Sequence, residues 1–264
     1  MSDLLEHEPM IRSSVFAAVL LVMLGWEVLA PRRTLMVPRR VRWMSNVALS
    51  FINTAVLRFV FPLLAVGLAE LMASQSWGLF NVLALPVWLE LIAAVVLLDL
   101  AIYVQHVIFH KVPMLWRLHR LHHADIDFDV TTGVRFHPIE IVLSMLIKFA
   151  VVTLLGPAAV AVMVFEVLLN ATSMFNHGNV RLPVALDTWV RRFVVTPDMH
   201  RVHHSVHRYE TDSNFGFNLA IWDRVFATYR AQPDDGHEGM AIGIETFRER
   251  SEYGLLRLLA QPFR

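Results

Sequence analysis

Thirteen histidines stand in this chain of 264 residues, and eight of them fall in three tight groups. In DLAIYVQHVIFH, Asp99, Tyr103, His106 and His110 recur at i, i+4, i+7 and i+11, so a helix would align them in one stripe. HRLHH supplies His119, His122 and His123, and HRVHH supplies His200, His203 and His204. The i, i+3, i+4 spacing turns each triplet toward one side of a helix. Thr196 and Pro197 precede the last group and read as an N-cap followed by a first-turn proline. A lone histidine is ordinarily a core residue satisfied by one hydrogen bond. Imidazoles crowded like these would repel one another on protonation and would lose solvation if packed as mere core. A metal cation resolves both problems, because it needs the rings neutral and close together. Eight nitrogens exceed what a four-coordinate zinc takes, so two metals fit the count better. Imidazole suits zinc, copper, iron and nickel alike, and the ligand type alone names none of them.

The elements that must position these groups are apolar. Hydrophobic residues make up 56 % of the chain and charged residues 17 %, an apolar excess over soluble domains, and the excess sits in long blocks. Four blocks stand out, at about 13–30, 47–71, 83–109 and 139–175, the last split by Gly156-Pro157 and read as a helical hairpin. Residues 1–12 are polar without a basic start, so no cleavable signal peptide is expected. The first loop carries Arg32, Arg33, Arg39, Arg40 and Arg42, whereas ASQSWGLFN after the second block has no charge. The positive-inside rule then makes the arginine loop cytoplasmic and the uncharged loop external. Counting crossings forward, segments 111–138 and 177–264 return to the arginine side, which gathers every histidine group on one membrane face. The expected fold is all-α: one integral-membrane domain over 1–264, with multi-pass helices and a cytoplasmic helical cap holding a dimetal site. Cysteine is absent, which excludes disulfides, thiolate zinc, iron–sulfur clusters and a cysteine nucleophile. Net charge is +0 with no long basic run, so nucleic acid is not an expected partner.

The pattern His106-x-x-x-His110, His119-x-x-His122-His123, His200-x-x-His203-His204 resembles the fatty acid hydroxylase/sterol desaturase superfamily. RFHPIE (135–140), FNHGNVRLP (175–183) and NFGFNLAIWDRVFATY (214–229) strengthen the likeness, which covers about Leu91 to Tyr229. The resemblance implies a histidine-rich catalytic region over 99–229, two iron ions, O2 as co-substrate, and hydroxylation or desaturation of a membrane lipid. It implies iron ligands at His106, His110, His119, His122, His123, His200, His203 and His204, with His177 and His137 added. No segment resembles a cytochrome b5-like domain, so a separate electron donor is expected, a ferredoxin or a cytochrome b5-like protein with its reductase.

Asp99, Tyr103 and His207 are read as catalytic-site residues beside the ligands. Metal-bound imidazoles usually donate their second nitrogen to an oxygen, and Asp99, Asp198, Asp223 and Glu140 are candidates for that role. Glu27 reads as interfacial, Asp125, Asp127 and Asp129 as a solvated loop, and His7 and His237 as surface residues. Two rival readings remain. A zinc pair could hydrolyse a lipid ester or phosphate, though neither carboxylate ligands nor HExxH accompany the histidines. A metal transporter would place ligands near the bilayer midplane, whereas these groups fall at helix ends.

Overall fold

A computed structural model describes residues 2–83 and 85–264, side chains of Ser2 and Asp3 excepted. The helices in chain order are α1 (Ser2–Glu6), α2 (Glu8–Leu29), α3 (Arg39–Val60), α4 (Ala65–Ser74), α5 (Leu79–Leu83), α6 (Val87–Lys111), α7 (Pro113–His123), α8 (Pro138–Leu155), α9 (Ala159–Asn176), α10 (Val184–Val190), α11 (Pro197–His203), α12 (Arg208–Thr211), α13 (Ile221–Val225), α14 (Gly236–Gly239) and α15 (Leu255–Ala260). Among the described residues no β-strand forms, only isolated bridges. Five stretches are long and apolar enough to cross a membrane: Glu8–Leu29, Arg39–Leu83, Val87–Lys111, Pro138–Leu155 and Ala159–Asn176. The chain is an integral membrane protein.

Helix α3 is turned inside out relative to a helix of a soluble fold. On α3 the buried face is Arg42, Ser45, Asn46, Leu49 and Asn53, while Met44, Phe51 and Phe59 are exposed. A polar stripe faces the protein and the apolar residues face outward, as lipid requires. The second apolar block is not one helix. It breaks at Phe61-Pro62, where proline cannot donate the next helical hydrogen bond, and α4 continues against α8 and α9.

The hairpin between α8 and α9 turns on Gly156, which is left-handed at φ 59°. Asn81 Nδ2 donates to Gly156 O at 2.9 Å. A Cβ on Gly78 would stand 2.4 Å from Gly156 N, so the α4–α5 turn can press this closely on the hairpin only without a side chain. Glu90, in the first turn of α6, accepts from Ala158 N at 2.8 Å and ties that helix to the same end. The opposite end carries the C-termini of α2, α6 and α9 and the starts of α3 and α8. Everything from the third histidine group onward packs there, together with α7. All three groups therefore lie at one end of the helical bundle.

Glu27 is corrected by the structure: it is fully buried and accepts from Val130 N at 2.7 Å and Asn179 N at 2.8 Å. Asp125, Asp127 and Asp129 are also buried rather than solvated. Arg42 donates to Asp125 at 2.7 and 2.8 Å and also pairs with Asp129. Asp127 accepts from Met36 N and Val37 N at 2.9 and 2.7 Å. Burial opposes ionisation of Asp125, but Arg42 and Arg135 hold its carboxyl below the usual value.

Candidate metal centre

Nine buried imidazoles converge in two groups. His106, His110, His119, His123 and His203 form one, and His122, His177, His200 and His204 form the other; within each group the candidate ligand atoms lie within 4.8 Å of one another. Three helices supply the first group. His106 and His110 come from the last turns of α6, His119 and His123 from α7, and His203 from the end of α11. The i, i+3, i+4 triplets split: His119 and His123 face one group while His122 faces the other. His200 and His204 face the second group while His203 faces the first. His177 caps the C-terminus of α9 and completes the second group.

The tautomers follow from the oxygens around them. Carbonyls carry no proton, so a ring nitrogen bonded to one must be the donor. His106 Nδ1 donates to Phe215 O at 2.8 Å, His203 Nδ1 to Ser213 O at 2.7 Å, and His177 Nδ1 to Ser173 O at 2.7 Å. His119 Nδ1 lies 2.6 Å from Glu140 Oε1. The Nε2 atoms of His106 and His203 are therefore bare, yet they face each other at 3.0 Å. Two lone pairs cannot bond one another; a cation between them satisfies both.

The remaining Nε2 spacings are 3.2 Å (His106–His119), 3.1 Å (His110–His123), 3.1 Å (His122–His177) and 3.1 Å (His177–His200). With metal–nitrogen bonds of about 2.1 Å, ligands at right angles stand roughly 3.0 Å apart and tetrahedral ligands roughly 3.4 Å apart. The observed edges match the right-angle case, and five nitrogens exceed a tetrahedral shell. The five-nitrogen group thus fits a metal of coordination number above four, and the four-nitrogen group fits a second metal beside it.

Electrostatics agree. Burial, reinforced by neighbouring imidazoles, holds His122, His123, His200 and His204 well below the ordinary imidazole range. Burial also lowers His203 to about 3 and His177 to about 4. These six rings are neutral at physiological pH.

The family comparison can now be placed on this geometry. The fatty acid hydroxylase family profile matches residues 91–228, more than half of the chain, and encloses both histidine groups. The chain belongs to the fatty acid hydroxylase family. Among its relatives, human alkylglycerol monooxygenase is 27 % identical over 56 % of this chain and 32 % of its own length. Ornithine lipid hydroxylase OlsE of Rhizobium tropici is 28 % identical over 67 % of this chain and 51 % of its own. Human cholesterol 25-hydroxylase is 25 % identical over 53 % and 51 %. The matches thus cover a third to a half of these relatives. No solved structure matches the chain.

Several residues sit elsewhere than the sequence suggested. His137 stands outside both groups. Its Nδ1 accepts from Ile139 N at 3.2 Å as the N-cap of α8, and its Nε2 lies 3.2 Å from Leu259 O, so both nitrogens are engaged. His207 is half exposed, with Nε2 3.4 Å from Asp235 and its ring stacked on Tyr209; it does not reach the centre. Asp99 bonds no histidine. It accepts from Asn218 N at 3.3 Å, Leu219 N at 3.1 Å and Trp222 Nε1 at 2.8 Å. Asp198 pairs with Arg201 and stands 3.6 Å from the ring of His237, which is buried rather than at the surface.

Asp223 accepts from Phe215 N at 2.7 Å, Gly216 N at 2.9 Å and Thr228 Oγ1 at 2.7 Å. Tyr103 OH meets Thr228 Oγ1 at 2.8 Å. Asp99, Asp223 and Tyr103 thereby fix the 213–222 loop, whose carbonyls orient His106 and His203. Phe128, Phe136 and Phe217, none singled out by spacing, pack directly on the rings. Phe136 lies parallel on His122 at 4.4 Å, Phe128 stacks on His177 at 5.5 Å, and Phe217 is 5.7 Å from His106. Asp212 Oδ1 stands 3.5 Å from His110 Nδ1. Phe128 follows HRLHH by five residues, Phe136 directly precedes His137, and Phe217 belongs to the NFGFN stretch after HRVHH; no local pattern marks Asp212.

Proposed function

We propose that this chain is a non-haem di-iron oxygenase that hydroxylates or desaturates a C–H bond of a membrane lipid, with O2 as co-substrate. The observation that carries the reading is the pair of adjacent, buried, all-imidazole groups whose bare nitrogens face one another at right-angle ligand spacing. His106, His110, His119, His123 and His203 would hold one iron, and His122, His177, His200 and His204 the other. When bound, the irons supply reductive activation of O2, which no side-chain acid or base can provide for an unactivated C–H bond.

The protein's part is orientation and exclusion of water. Glu140, Ser213 O, Phe215 O and Ser173 O lock four rings. Phe128, Phe136 and Phe217 line the centre with apolar surface. Between α2 and α9 lies a shallow apolar groove open to the outside, lined by Val19, Val22, Met23, Trp26, Thr172 and Phe175, a surface along which an acyl chain could lie. Its Thr172 meets Asn218, the neighbour of Phe217. The arginine-rich 30–42 loop is at the same end as the centre, which favours a cytoplasmic site by the positive-inside rule. A separate donor, ferredoxin or cytochrome b5-like, would deliver electrons to that face.

The test is metal analysis and Mössbauer spectroscopy on detergent-purified protein, followed by a lipid screen under O2 with a reductant. The expected result is two coupled irons per chain and a lipid product whose added oxygen derives from O2, or an alkene. Zinc alone, with no turnover restored by ferrous iron, overturns the reading.

A further inference from the structure

The segment after α9 reads as polar in sequence, yet it presents a broad apolar surface. Leu186 and Trp189 on α10, Phe193 after it, and Ile221, Val225 and Phe226 on and just beyond α13 are all exposed; Trp189, Phe193 and Val225 keep 60 %, 56 % and 62 % of their surface. They belong to one patch. The Trp189 and Phe193 rings are 5.6 Å apart. Ala220 N donates to Phe193 O at 2.9 Å, and Arg224 donates to Arg191 O at 2.9 Å, so α10 and α13 adjoin. Ile221 and Val225 are one helical turn apart and share a face. Exposed apolar surface this concentrated marks a contact.

Two observations identify what it contacts. The first is continuity: the Phe226 ring stacks on Tyr103 of membrane-spanning α6 at 5.2 Å, and Val104 and Ile108 in the next turns of α6 are themselves exposed. The second is charge. In 181–194 and 219–227 the acids Asp187 and Asp223 are buried, Asp187 paired with Arg191, and the exposed charges are Arg181, Arg192 and Arg224. An apolar face rimmed only by arginine suits the boundary between acyl chains and phosphates, where long cationic side chains reach back to the headgroups.

We propose that α10, the turn after it and α13 form an interfacial membrane-binding face, seated in the leaflet on the side of the metal centre and selective for anionic phospholipid. The face needs no metal and no turnover, so it stands or falls apart from the oxygenase reading.

The chain has no native cysteine, which allows single spin labels at Trp189→Cys, Phe193→Cys and Val225→Cys in the full chain in nanodiscs. Val22→Cys on α2 is the lipid reference and Asp235→Cys the water reference. The expected result is collision with O2 and loss of collision with a water-soluble nickel chelate at all three positions, as at Val22. Asp235-like values overturn the proposal. Replacing part of the phosphatidylcholine with phosphatidylserine should lower nickel access further, and Arg181→Gln with Arg192→Gln should abolish that difference; equal values in both lipids overturn the anionic preference. Trp189→Phe offers a milder variant: the fraction of tryptophan emission quenched by brominated lipid should fall. An unchanged quenched fraction counts against the face.

Discussion

The two histidine groups are built differently. In the five-membered group, three rings are clamped through Nδ1: His106 by Phe215 O, His203 by Ser213 O and His119 by Glu140. In the four-membered group only His177 has such a clamp. His122, His200 and His204 have no hydrogen-bond partner at Nδ1 and are held by rings instead, Phe136 on His122 and Phe128 against His204 at 5.0 Å. A hydrogen bond at Nδ1 fixes a ligand and raises its basicity; a stacked ring fixes it without adding basicity. The first group should therefore bind metal more tightly, and the second should be the labile one.

The largest effect should come from His203→Ala. Turnover should vanish and one metal should be lost while the spanning helices remain inserted; full activity with two metals would remove this centre from the mechanism. Glu140→Ala should weaken metal at the first group by about 10- to 100-fold, read by competition with a chelator, with Glu140→Gln milder. In the unaltered protein the same chelator should strip metal in two phases, the first from the second group; a single phase would erase the contrast. Phe136→Leu should accelerate only that early phase, by a smaller factor than Glu140→Ala accelerates the later one.

The smallest effect concerns acid. His177 and His203 are lowered to about 4 and about 3 in the fold, against an ordinary value of about 6.5. Between those limits the unfolded chain binds more protons than the folded one, so stability must fall as pH falls. Metal-free protein should lose Tm progressively below about pH 6.5, and metal should blunt the loss near neutrality. A Tm independent of pH from 7 to 5 would contradict the buried neutral rings.

The sequence made the histidine triplets legible because i, i+3, i+4 spacing is local, and it made the hairpin legible because Gly156-Pro157 interrupts an apolar run. It did not reveal how each triplet divides between the two groups, since that depends on how α7 is set against α6 and α11 against α9. His137 resembles a ligand in sequence but sits before Pro138, where a ring can cap the helix. The Asp125–Asp129 segment looked solvated because its counter-ion, Arg42, lies far away in sequence and reads as one more loop arginine. Arg42 is buried with two carboxylates, so it adds less to the topology signal than a free charge would.

The order in which the chain supplies these residues also constrains its biogenesis. His106 to His123 leave the ribosome before the α8–α9 hairpin, and His177 to His204 after it. Neither group is complete until the hairpin has formed and α11 has packed against α9. A metal would therefore enter as a closing step of assembly, and the newly inserted chain must hold nine buried imidazoles together while it waits. If the centre takes iron as proposed, scarcity of that metal would accumulate a fully inserted but unlocked protein.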